Sequence, residues 1–406
     1  MAHHLRRSLL ILAIYIFSTS CTSSDSTKTA PVSTPVTTPV DKSILDYDPQ
    51  KADKRIDEFM KELHRKHGFN GNILVAKKGK IIYQNTFGWA DYLHRDSLKT
   101  GSVFELASVS KPFTATAILM LMEEGKLRLD QDVKDFFPNF PYDGITIRLL
   151  LTHRSGLMNY VYFTDTIWKK KREGMTNMDV MNLISQYQPM CYSKPNKHFH
   201  YNNSNYMILG AIIEKVTGKS YSKFMEARIF KPCGMDYTHV YSKVDYAKIP
   251  VDVVGHDRVW KRSVVQNFLD GPIGDKGIYS TVQDLYLFDR GMRMGKLLRQ
   301  ATLDSAYTSH NKLIRGHFGY GYGWRTFSGE GERIVYHTGW WHGFKHIYVR
   351  DLNNDVTVIL LSNLTNGSLL KLDGLYKIVG MPIVRKGAYL TNGQIAPTHQ
   401  KETDED

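Results

Sequence analysis

The chain has 406 residues, with 53 lysines and arginines against 40 acidic residues, a formal net charge of +13, and 42% apolar residues. That length and balance exclude long-range disorder and exceed what one compact core usually holds, so two lobes are expected. Three cysteines cannot build a disulfide scaffold, and no window reaches the roughly 18 to 20 uninterrupted apolar residues of a membrane-spanning helix.

A basic start ending in Arg6 and Arg7, an apolar run from Leu9 to Phe17, and Ser18, Thr19 and Ser20 ahead of Cys21 read as a signal peptide over residues 1–20. Small residues directly before a cysteine resemble a bacterial lipoprotein cleavage box, although Ser18 stands where an aliphatic residue is usual. Lipidation of Cys21 is expected, with ordinary secretion as the alternative. The chain would then sit at a bacterial cell envelope, touching membrane through that lipid only. Residues 21–43, Ser/Thr-rich with Pro31, Pro35 and Pro39, read as a semi-extended tether.

The folded part is placed at 44–390. A helical pattern runs from about Asp53 to His67, and Asn72 to Ala76 followed by Ile81 to Tyr83 reads as a β-hairpin. Next comes Phe104 to Thr114, which carries Ser108 and Lys111, then an apolar helix from Ala115 to Met122 and a stop at Gly125. On a helix, a spacing of three puts a hydroxyl and an amine on one face. Pro112 lacks an N–H, which is tolerated in a first turn, so the helix should begin near Ser108. The positive end of the helix dipole then favours a serine alkoxide over a lysine ammonium.

The middle of the chain, about 125–325, is expected to form a helical lobe. Lys169 to Arg172 is the only dense basic run and reads as a solvated face, so no nucleic-acid partner is expected. Cys191 and Cys233 are read as independent buried thiols. Tyr201-Asn202-Asn203 and, later, His337-Thr338-Gly339 follow the Ser108 pair, whereas the other Ser-x-x-Lys spacings, at Ser220, Ser309 and Ser368, do not precede both. Lys276, in the Gly274 to Gly277 loop, reads as an exposed loop lysine, with a charge offered to the substrate as the alternative. Arg333 to His337, Phe344 to Arg350 and Val356 to Ser362 read as strands, and residues 391–406 as a polar tail. His337, His342 and His346 are spaced for different faces of an extended chain, so no metal or other cofactor is expected.

These motifs, with Leu149 to Leu157, Tyr201 to Gly210 and Gly274 to Thr281, resemble the class C β-lactamase and D-alanyl-D-alanine carboxypeptidase family of serine hydrolases, which also contains esterases; the resemblance covers roughly residues 50 to 380. It implies an α+β, β-lactamase/transpeptidase-like fold: a five-stranded antiparallel sheet flanked by helices, plus an all-helical lobe. It also implies Ser108 as the nucleophile that forms an acyl-enzyme, with Lys111 and Tyr201 sharing the proton transfers; which is the base stays open. Asn203 would contact a substrate amide or orient Lys111. The oxyanion hole would come from the backbone N–H groups of Ser108 and Trp340, with Gly339 small so that substrate lies against the strand.

His337 departs from the lysine of the β-lactamases, and a mostly neutral imidazole cannot replace a fixed charge. A D-amino-acid peptidase or esterase therefore ranks above a β-lactamase, and an idle penicillin-recognising receptor is the competing class. A monomer acting on a small-molecule or peptidoglycan-peptide substrate is expected.

Overall fold

Along strand β1 (Gly71–Lys77), Ile73 and Val75 point to one face while Leu74 and Ala76 point to the other, and both faces are buried. A strand covered on both sides must lie inside a layered fold, with helices above and below it. The computed structural model describes residues 39–241, 253–258, 261–311, 317–329 and 331–382. The expected signal peptide, Cys21 and the expected polar tail lie outside the described residues. Within the end of the expected tether, Val40 is buried and Lys42–Leu45 form a 3₁₀ turn, so ordered structure begins before residue 44.

Helix α1 (Lys54–His67) is capped by Asp53 and ends at Gly68, whose φ of +68° closes the last turn. It buries Ile56, Met60 and Leu63, one stripe at helical spacing, against Ile73, Val75, Val358 and Leu360. β1 turns into β2 (Lys80–Phe87) as the hairpin pattern implies. Helix α2 (Lys111–Glu123) follows a 3₁₀ turn at Ala107–Ser110, and is apolar all round because it runs through the interior. Helices α3 (Asn203–Thr217) and α4 (Val282–Arg293) pack on the same side of the sheet, where Phe288 stacks on Phe113 of α2 with ring centroids 3.9 Å apart.

Strands β3 (Phe318–Tyr320), β4 (Arg325–Phe327), β5 (Ile334–Trp341), β6 (Phe344–Asp351) and β7 (Val356–Ser362) complete an antiparallel sheet in the order β2-β1-β7-β6-β5-β4-β3. The sheet has seven strands, not five. The two extra are three residues each, too short for an alternating pattern to register, and they add to the edge beside β5. Helix α5 (Asp373–Val379) lies beside α1. Between α2 and β3 the described regular elements are mostly helical, with two short strands at His239–Val240 and Ile278–Ser280.

Strand β1 pairs with β7, Gly71 opposite Ser362 and Lys77 opposite Val356, so the first and last strands of the fold are neighbours. No described helix is long and apolar enough to cross a membrane. Cys191 and Cys233 are both free, with Cys233 buried and Cys191 only half-buried; burial pushes the Cys233 thiol up to about 12.

Candidate active site

The 3₁₀ turn and the first turn of α2 hold Ser108 and Lys111 side by side. Lys111 Nζ donates to Ser108 Oγ at 2.8 Å, to Asn203 Oδ1 at 2.7 Å and to the carbonyl of Asp275 at 3.1 Å. Lys111 is completely buried, a position a lysine occupies only when its donors are matched. Asn203 reaches it from the first turn of α3, where Asn202 caps the helix through Ser204 N at 2.8 Å. Two helix N-termini thus converge on one amine. Ala107, directly before Ser108, has φ of +50°, a left-handed conformation that costs a non-glycine residue of order 1 to 3 kcal/mol and is held by its buried surroundings.

Tyr201 lies with its ring centroid 4.8 Å from Lys111 Nζ and 5.1 Å from the guanidinium of Arg325. Behind it runs a chain of hydrogen bonds whose protons are fixed by their partners. His153 Nδ1 faces Asn202 N at 3.2 Å and Asn205 Nδ2 at 2.9 Å, so Nδ1 accepts and Nε2–H donates to Tyr320 Oη at 3.2 Å. His337 Nδ1 lies 2.7 Å from the Thr338 carbonyl and must donate, which leaves Nε2 to accept from Tyr320 Oη at 3.2 Å. Burial, then the charges of Arg325 and Lys111, hold His337 well below the ordinary imidazole range. Burial and Lys111 do the same to His153. Both rings are neutral at pH 7. Tyr320 and Arg325 belong to the short strands β3 and β4, which is why sequence reading missed them.

His337, Gly339 and Trp341 of β5 face the helices, while Trp340 is 48% exposed. A β-carbon on Gly339 would lie 2.4 Å from the Leu106 carbonyl oxygen and 3.3 Å from Val109. The turn bearing Ser108 packs against it, which by itself requires a small residue. His342 sits against Asp270, with Nδ1 3.1 Å from Oδ2, and His346 bridges the Glu105 carbonyl and Ser362 N.

The loop from Gly274 to Gly277 is pressed onto α3. A β-carbon on Gly274 would stand 2.5 Å from the Tyr206 carbonyl, and one on Gly210 2.8 Å from that of Ile273. Thr114 Oγ1 pins the loop at the Gly274 carbonyl, 2.6 Å away. Here the expectation for Lys276 fails. The residue is 3% exposed, paired with Asp275 at 3.2 Å and hydrogen-bonded to the Tyr160 hydroxyl. Nothing in its local sequence distinguishes it from a solvated lysine; only the fold turns it inward. Ser108, Asn203, Lys276, Trp340 and Tyr162 line one cavity of about 500 Å³.

The arrangement places the Ser108 hydroxyl in the lining of the cavity, with the buried Lys111 amine against it and the Tyr201 ring beside that amine. Among the described residues no cluster could hold a metal ion.

Residues 52–378 match the family model described as Beta-lactamase. The chain is 37% identical over 328 residues to penicillin-binding protein 4* of Bacillus subtilis, covering 77% of this chain and 72% of that protein. Among solved structures, a penicillin-binding protein from Bacillus halodurans superposes with a TM-score of 0.69 at 24% identity, over 79% of this chain and 98% of that one. The octameric penicillin-binding protein homologue from Pyrococcus abyssi also gives 0.69, at 27% identity, over 81% and 77%.

Proposed function

Since the chain belongs to the beta-lactamase family of serine hydrolases, we propose that it hydrolyses a D-amino-acid peptide or a carboxylic ester through an acyl-enzyme on Ser108. The observation that carries this is the 2.8 Å contact between Lys111 Nζ and Ser108 Oγ. With its two N–H groups on Asn203 Oδ1 and the Asp275 carbonyl, an unprotonated amine would turn its lone pair to Ser108 and take the hydroxyl proton as the oxygen attacks a carbonyl carbon. Tyr201, against the same amine, is the second candidate for that transfer. The tetrahedral oxyanion would be met by the backbone N–H groups of Ser108 and Trp340, and loss of one donor of that kind costs on the order of a hundredfold or more in turnover. Collapse expels the amine or alcohol, which leaves with a proton, and water then frees the acid and restores Ser108.

The neutral His337 favours peptidase or esterase over β-lactamase, because it offers no fixed charge where the lysine of those enzymes stands. The names of the relatives at 37% and 27% identity speak for penicillin recognition. Attachment at the envelope through a lipidated Cys21 belongs to the same proposal. Replacing Cys21 by serine should release the protein from membranes, and continued fractionation with lipid would refute the anchor.

The test is mass spectrometry of the protein incubated separately with penicillin, a D-Ala-D-Ala peptide and a short-chain p-nitrophenyl ester. A mass shift on Ser108 with penicillin or release of D-alanine supports the peptidase, and ester turnover alone supports the esterase. No adduct or product with any of the three favours the idle receptor.

A further inference from the structure

His337 leaves β5 without a cation at the site, yet the cavity beside Ser108 does contain an ammonium group. Lys276 is the one lysine or arginine among the described residues that line it. We infer that Lys276 is a specificity-determining residue that pairs with a carboxylate of the substrate, so that anionic ligands are preferred to neutral ones. This rests on the hydrolase reading of the same site and names the chemistry of what enters it.

A buried ammonium carries three donors, and their geometry is informative. One goes to Asp275 Oδ2 at 3.2 Å and one to the Tyr160 hydroxyl. The third is left for the cavity. The faces of Trp341 and Tyr160 flank the ammonium, with centroids 4.9 and 5.0 Å from Nζ, and hold it without competing for that donor.

Of the nearby acids, Asp275 is the partner of Lys276 itself, and the others have partners of their own. Asp275 Oδ2 also accepts from Tyr160 at 3.0 Å. Asp270 takes Trp341 Nε1 at 2.5 Å and faces His342 at 3.1 Å. Asp257, a lining residue, accepts the Arg262 amide at 3.3 Å. Glu105 is fully buried, and burial together with the charge of Asp270 raises its carboxyl well above the usual range. The rest of the lining includes the apolar side chains of Val161, Val264 and Trp340. Lys276 is also tied to the catalytic amine, because the Asp275 carbonyl accepts from Lys111 while the carboxylate of the same residue holds Lys276.

The experiment is isothermal titration of the full chain carrying Ser108→Ala with N-acetyl-D-Ala-D-Ala and with its C-terminal amide. The acid should bind at least tenfold tighter than the amide, and adding Lys276→Met should remove that difference. Circular dichroism checks that the double variant folds, and Lys276→Arg should keep part of the preference even if the methionine variant does not. Equal affinities, no binding of either ligand, or a preference that survives Lys276→Met would overturn the inference. Turnover of the same peptides by the parent chain reports separately. Turnover with equal affinities sinks the inference alone, and preference without turnover sinks the hydrolase reading alone.

Discussion

Gly339 of β5 and Leu106, two residues ahead of Ser108, are packed so closely that any β-carbon at 339 would lie 2.4 Å from the Leu106 carbonyl oxygen. Backbone stands on both sides of that contact, so neither can yield cheaply. Gly339→Ala should push the Ser108 turn away from the strand. Overpacking of this kind typically costs about 1 to 3 kcal/mol, and acylation by a fluorophosphonate should slow at least tenfold. Urea unfolding and stopped-flow labelling measure the two effects. An alanine variant that labels at the parent rate would show that the strand and turn are not in the register described.

Lys111→Ala removes the amine 2.8 Å from Ser108 Oγ. Acylation should fall by a hundredfold or more, since general-base assistance contributes of that order. Single-turnover kinetics with a p-nitrophenyl ester provides the number, and circular dichroism checks that the fold survives. A rate within threefold of the parent would exclude Lys111 from the proton transfer and move the role to Tyr201.

The buried pair of Arg350 and Asp289 offers a test of stability away from the site. Arg350 Nε lies 2.5 Å from Asp289 Oδ1, and Arg293 reaches the same carboxylate at 3.1 Å. Arg350→Met leaves Asp289 without its closest partner and should cost about 3 to 5 kcal/mol. Adding Asp289→Leu should recover part of that loss, because the stranded charge goes too. Denaturant titration of the single and double variants measures both, and a double variant no better than the single would assign the cost to packing.

Acid should destabilise the protein through histidines that are buried neutral. Burial lowers His346 to about 4. Its contribution is complete above the unfolded value of about 6.5, because neither state binds the proton there, and it is lost as pH falls from about 6.5 towards 4 while only the unfolded chain takes one up. At pH 5 the loss from this residue is about 2 kcal/mol. Unfolding free energies at pH 7.5 and 5.0 should therefore differ less in His346→Gln than in the parent, by about that amount. An unchanged difference would place the titration elsewhere.

The helix from 54, the hairpin and the three long C-terminal strands were legible because each repeats its period over seven or more residues. Ser108, Lys111 and Asn203 were legible because residue type, spacing and order along the chain carry the chemistry, and the fold brings them within hydrogen-bonding distance. The places of Tyr320 and Arg325 and the burial of Lys276 were not. The first two sit on three-residue strands whose periodicity is too brief to register, and the third owes its burial to partners far away, Tyr160 and Trp341. The packing of Gly339 against Leu106 was not legible either, since contact between distant segments leaves no local trace.

The pairing of β1 with β7 sets a timetable. On the side away from β2, Lys77 finds its partner in Val356, so a growing chain carries an open sheet edge until almost all of the family domain has been synthesised. Long-range closures of this kind fold slowly, and an exposed edge invites pairing with other chains. The Ser108 turn leans on β5, itself paired to β6 and through it to β7. Hydrolytic competence should thus arrive late and all at once, and nascent fragments ending before residue 356 would be inert and prone to self-association.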